Sequence, residues 1–63
     1  MQKGDEVMVY QDPITKKKEE GKAVLLKELS REGFVDGKQL TRWLVHFLGD
    51  DKKSKYERSI LEK

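Results

Sequence analysis

The sequence predicts an all-β fold, a small barrel of four to five antiparallel strands, on three observations. Val7, Met8, Val9 and Tyr10 form a short run rich in β-branched and aromatic residues. Thr41, Trp43, Val45 and Phe47 are β-formers placed at every second position, which puts them on one face of a strand. Asp36-Gly37 before that stretch and Gly49-Asp50-Asp51 after it are turn chemistry at hairpin spacing. The rival is an α+β architecture, a hairpin followed by helices over residues 16–31 and 38–48.

The first strand occupies residues 4–10, with Val7 and Val9 on one face, and Gln11-Asp12-Pro13 closes it. Pro13 fixes its own φ and biases Asp12 toward extended geometry. Residues 12–21, carrying Lys16-Lys17-Lys18-Glu19-Glu20, are therefore expected to form a solvated loop. Residues 22–29 read two ways. Ala23 and Leu25 alternate with Val24 and Leu26 as in a strand, yet Leu25, Leu26 and Leu29 also fit helical spacing. Composition there favours the helix, with Gly33 at the C-cap position.

The same conflict recurs in residues 39–49, where Leu40, Trp43, Leu44, Phe47 and Leu48 make a helical stripe. The β-formers and flanking turns decide for a strand. In residues 54–60, Tyr56, Arg58 and Ile60 alternate against Lys55, Glu57 and Ser59, which suits a short closing strand with a turn at Leu61-Glu62-Lys63.

At 63 residues the chain forms one domain, 1–63, near the lower limit for folding alone. Nearly every large apolar side chain is needed for the core, which leaves little material for the concave pocket an active site requires. Cysteine is absent and His46 is the one histidine, so thiolate and paired-histidine metal sites are excluded. No enzyme activity, metal or cofactor is expected. Asp50-Asp51 are turn residues, without the spacing of a calcium loop.

No apolar run approaches the ~20 residues that cross a bilayer, and the first residues do not resemble a signal peptide, so the expectation is a cytoplasmic protein without membrane contact. Charged residues make up 41% of the chain, but 14 basic residues nearly cancel 12 acidic ones. A net charge of +2 does not announce a nucleic-acid binder.

Laid end to end, these strands resemble a Src-homology-3-like barrel, and more narrowly the Tudor and chromo-barrel family. The most specific piece is Trp43-Leu44-Val45-His46-Phe47-Leu48-Gly49, which is close to the third strand of chromo-barrels. Residues 4–10 are similar to the family's first strand, and Gly21-Lys22-Ala23-Val24-Leu25 to its second. The resemblance implies an aromatic cage for methylated lysine, using Phe47, an aromatic after Gly49, and aromatics of the last strand. Tyr56 matches one of these; Asp50 and Ser59 stand where aromatics are expected, so the cage is incomplete. A weaker similarity of Glu20-Gly21-Lys22-Ala23-Val24-Leu25 to KOW-type barrels points toward nucleic acid. The simpler role of Gly21 is a positive φ at a loop exit.

Trp43, Phe47 and Phe34 are expected in the core, and His46 on the opposite strand face. Tyr10 and Tyr56 are better suited to a surface, because a buried hydroxyl must find a partner. Candidate binding residues are Tyr10, Lys16, Lys17, Lys18, Phe47, Tyr56 and Arg58. The expected function is a non-catalytic binding module that takes a protein or peptide on a barrel face or edge. The alternative is a groove for single-stranded nucleic acid, with aromatic rings stacking on bases and lysines neutralising phosphates. A monomer or weak homodimer is expected, since an exposed edge can pair with a second copy.

Overall fold

In the computed structural model, which describes residues 1–62, the chain is all-β: four antiparallel strands in one sheet. They are β1 (Glu6–Asp12), β2 (Lys17–Val35), β3 (Lys38–Phe47) and β4 (Tyr56–Leu61), in the spatial order β1-β2-β3-β4. There is no helix among the described residues, so none long and apolar enough to cross a membrane.

All four strands contribute to the core, with β3 and the start of β2 alternating inward. Val9, Ala23, Leu25, Trp43, Val45 and Ile60 form one buried cluster, against which Val7 and Phe47 pack. Val9 and Ile60 come from the two edge strands, so the sheet must curl for both to join one core. Trp43 fills it at a cost: its Nε1 has no hydrogen-bond partner among the described residues. An orphaned donor costs about 1–3 kcal/mol. Burying an aromatic ring returns roughly 4–6 kcal/mol, so size wins.

The curl comes from β2, which is 19 residues long. Its first half pairs with β1 (Val7↔Ala23, Val9↔Gly21) and its second with β3 (Leu25↔Val45, Phe34↔Gln39). Register shifts between Leu25/Lys27, Glu28/Ser30 and Arg31/Gly33 are bulge-like irregularities, each of which bends and twists a strand.

Residues 22–29, which read two ways, are strand, because Ala23 and Leu25 point into the core at strand period, and this burial outweighs the helical preference of Lys, Glu and Leu. Two sequence expectations are corrected here. The loop expected over 12–21 is a tight turn: Asp12 Oδ1 accepts the N–H of Ile14 (3.0 Å) and of Thr15 (3.2 Å), and β2 begins at Lys17. Phe34 is 73% exposed, although it was expected in the core. The β2–β3 hairpin outruns its neighbours, since β1 pairs no further than Val24 and β4 no further than Leu40.

Other expectations hold in whole or in part. Asp36 (φ 51°) and Gly37 (φ 78°) are both left-handed, the two-residue hairpin turn that matches strand twist. Gly21 has φ 131° but lies inside β2, opposite the register shift at Val9/Tyr10, and not at a loop exit. His46 sits half-buried on the face away from Trp43, with Nδ1 3.2 Å from the Ser54 carbonyl. Of the turn expected at 61–63, Leu61 belongs to β4 and Glu62 shows no turn; Lys63 lies outside the described residues.

Candidate functional site

Pairing of β3 with β4 sets Tyr56 beside Val45 and Arg58 beside Trp43, and so delivers both next to Phe47. The rings of Phe47 and Tyr56 meet edge-on, with centroids 5.7 Å apart at 64°. The Arg58 guanidinium carbon lies 5.4 Å from the Tyr56 centroid and 5.8 Å from that of Phe47. Glu20 of β2 fixes it there, Nε to Oε1 at 2.9 Å and Nη2 to Oε2 at 3.2 Å, while Nη1 donates to the Glu57 carbonyl at 2.8 Å. A bidentate carboxylate supplies geometry as well as charge.

This arrangement bears on the methyl-lysine cage. The cation over the two rings is the chain's own Arg58. Asp50 is occupied in its turn, accepting the N–H of Lys52 at 3.0 Å and of Ser54 at 3.2 Å. Ser59 donates its hydroxyl to Glu32. The rings therefore act as a packing site for an internal cation.

A second feature is larger. Within the sheet, β1 pairs with β2 and β4 with β3, so each presents one unpaired edge. Between these edges lies a cleft of about 440 Å³. Val7, Met8 and Tyr10 form its β1 wall, and Ser59, Ile60 and Leu61 its β4 wall. Pro13 lines it from the β1–β2 turn, and Glu6, Lys16 and Lys38 add charge. A shallower depression of about 360 Å³ shares Tyr10, Pro13 and Ser59 and continues to Arg42 and Arg58. The two make one groove system beside β4.

The turn bearing Pro13 and Lys16 is held by Asp12. Hydrogen bonds from the Thr15 side chain first, then from the Thr15 and Ile14 backbone, with the Lys17 charge, lower the Asp12 pKa. Ionised at neutral pH, this carboxylate pins the turn that borders the cleft.

Of the candidate residues, Tyr10 and Lys16 line the cleft, and Arg58 lines its continuation. Phe47 and Tyr56 join Arg58, whereas Lys17 and Lys18 are exposed and line neither depression. Sequence reasoning missed Val7, Met8, Ser59, Ile60, Leu61 and Lys38 as cleft residues. Their apolar alternation was visible, but the approach of β1 to β4 depends on the bends in β2. Likewise nothing marked Glu20 as the partner of Arg58. No group of three or more His, Cys, Asp or Glu residues is placed to hold a metal among the described residues.

Compared with known proteins, the chain matches no family model, no curated protein and no solved structure.

Proposed function

We propose that this chain is a non-catalytic binding module that takes up an extended peptide strand along the cleft between β1 and β4. The observation that carries this reading is the presence of two unpaired strand edges with a largely apolar cleft between them. Unpaired backbone donors and acceptors on a strand edge are a template for another chain, and proteins that do not use such an edge usually cover it or charge it. Here Val7, Met8, Pro13, Ile60 and Leu61 give the cleft its apolar surface and Glu6, Lys16 and Lys38 its charge, so backbone hydrogen bonds supply affinity and side-chain niches supply selectivity, as in strand addition generally. The dimensions agree: about 440 Å³ is within the range of peptide and small-ligand sites. The six residues of β4 offer an edge of about 20 Å.

Single-stranded nucleic acid is less well served. Tyr56 is 41% exposed, but its neighbour Arg58 is committed to Glu20. Glu32 and Glu57 stand beside Arg42 and Arg58 in the groove, so the field there is mixed.

The test is a two-dimensional amide NMR titration of the labelled protein, first with a pool of short peptides of alternating apolar residues and then with a mixed-sequence oligonucleotide. Peptide-induced shifts confined to Val7, Met8, Tyr10, Ser59, Ile60 and Leu61 are expected. Shifts induced by the oligonucleotide alone, centred on Lys16, Lys17 and Lys18, would replace this reading with the nucleic-acid one.

A further inference from the structure

Resting on the peptide reading above, we infer that the strand this cleft accepts has an apolar centre flanked by acidic residues. Charge around the groove is unevenly satisfied. Glu20 is held by Arg58 at 2.9 Å, Glu57 by Arg42 at 3.1 Å, and Glu62 by the Met1 ammonium at 3.3 Å. Arg31 is likewise paired, with Glu28 at 3.1 Å. All three arginines are thus neutralised within the fold, whereas no described lysine enters an ion pair.

The cleft lining reflects this. Lys16 and Lys38 enter it as cations without a carboxylate, and Glu6 is the single acidic side chain among the lining residues. The Lys16 backbone is held in place: it is left-handed (φ 58°), within the turn that Asp12 closes, so its side chain departs from a defined point of that turn. Lys18, likewise without an ion pair, extends the positive field beyond it, whereas Lys17 stands opposite Asp12 and acts on its charge. Carboxylates on the incoming chain would meet these lysines and recover the pairing the fold does not provide. Apolar side chains between them would lie against Val7, Met8, Ile60 and Leu61. Such complementarity selects partners and speeds encounter more than it adds affinity.

The experiment uses two pools of fluorescent octapeptides with the same alternating apolar centre, one with Glu-Glu at both ends and the other with Lys-Lys. Binding is followed by polarisation at low salt and at about 0.3 M salt, where screening shortens the reach of exposed charges. The acidic pool is expected to bind about tenfold more tightly at low salt, with the difference shrinking as salt rises, since exposed pairs are individually weak. In the K16E/K38E variant the preference is expected to invert. Both positions are exposed, and an unchanged circular dichroism spectrum verifies the fold.

Amide shifts locate the bound pool. Equal binding of both pools at Val7, Tyr10, Ile60 and Leu61 would overturn the acidic specificity and leave the peptide reading intact. Acidic peptides shifting only Lys52, Lys53 and Lys55 would also overturn it. Saturable binding of neither pool would overturn the reading on which it rests. Self-association that shifts the same cleft amides would name a second copy of the chain as the occupant and reject the inference.

Discussion

Truncating Leu25 separates the strand architecture from the helical one to which the composition of residues 22–29 points. Leu25 is 0% exposed and lies opposite Val45 in the core, whereas Leu29 is 39% exposed. Leu25→Ala removes about three methylene equivalents, worth ~2.4 kcal/mol at 0.8 each. The residual cavity raises this to roughly 3–4 kcal/mol. Leu29→Ala is expected to cost less than about 1 kcal/mol, as partly exposed positions do. Urea unfolding of both variants and the parent, with comparable m-values, gives the two differences directly. Total stability for such a domain is roughly 3–9 kcal/mol, so Leu25→Ala is expected to be marginal, and Leu25→Val, at about 1 kcal/mol, provides a measurable intermediate. Equal costs at Leu25 and Leu29 would refute the reasoning, because only a helical stripe buries both.

Three further perturbations test other parts of the structure. Gly21→Ala is expected to cost about 1–3 kcal/mol in urea unfolding, since φ 131° is a conformation that side chains rarely adopt, while the new Cβ finds room, with Phe47 Cδ1 4.0 Å away. Arg58→Gln removes the bidentate pair with Glu20 and the cation between two rings. A loss of about 1 kcal/mol is expected, with shifted ring resonances of Phe47 and Tyr56. For Asp12, the folded pKa is depressed, so its contribution is present above the unfolded value of about 3.9 and lost as pH falls through the folded one. The amide resonances of Ile14 and Thr15 are expected to move with a midpoint below the ordinary aspartate range, and a midpoint at or above it would contradict the capping geometry.

Much of the fold was legible in the sequence, for reasons visible in particular residues. In β1, β3 and β4, alternation, β-propensity and turn chemistry agree: Trp43 and Val45 point inward, Asp36-Gly37 makes the hairpin turn, and Ile60 closes the core. In β2 the levels conflict. After Leu25 the register slips three times, so the apolar spacing of Leu26 and Leu29 follows no strand period and mimics a helix. Phe34 misleads differently, because burial depends on what stands above a residue, and the hairpin tip extends past β1 and β4. The site was half legible. Phe47, Tyr56 and Arg58 were singled out and do meet, through strand register. The cleft was not, because it is made by two strand edges about 50 residues apart in sequence, brought close by the curl of the sheet.

Amide hydrogen exchange of β1 and β4, with and without the peptide pool, is the most direct test of the proposal that the cleft is a strand-accepting site. In the free protein, the amides of β1 and β4 that point away from β2 and β3 are expected to exchange rapidly, and to gain at least about tenfold protection when peptide is bound. Strong protection of those amides before any peptide is added would mean that the two edges already pair with each other, and that no strand is missing between them.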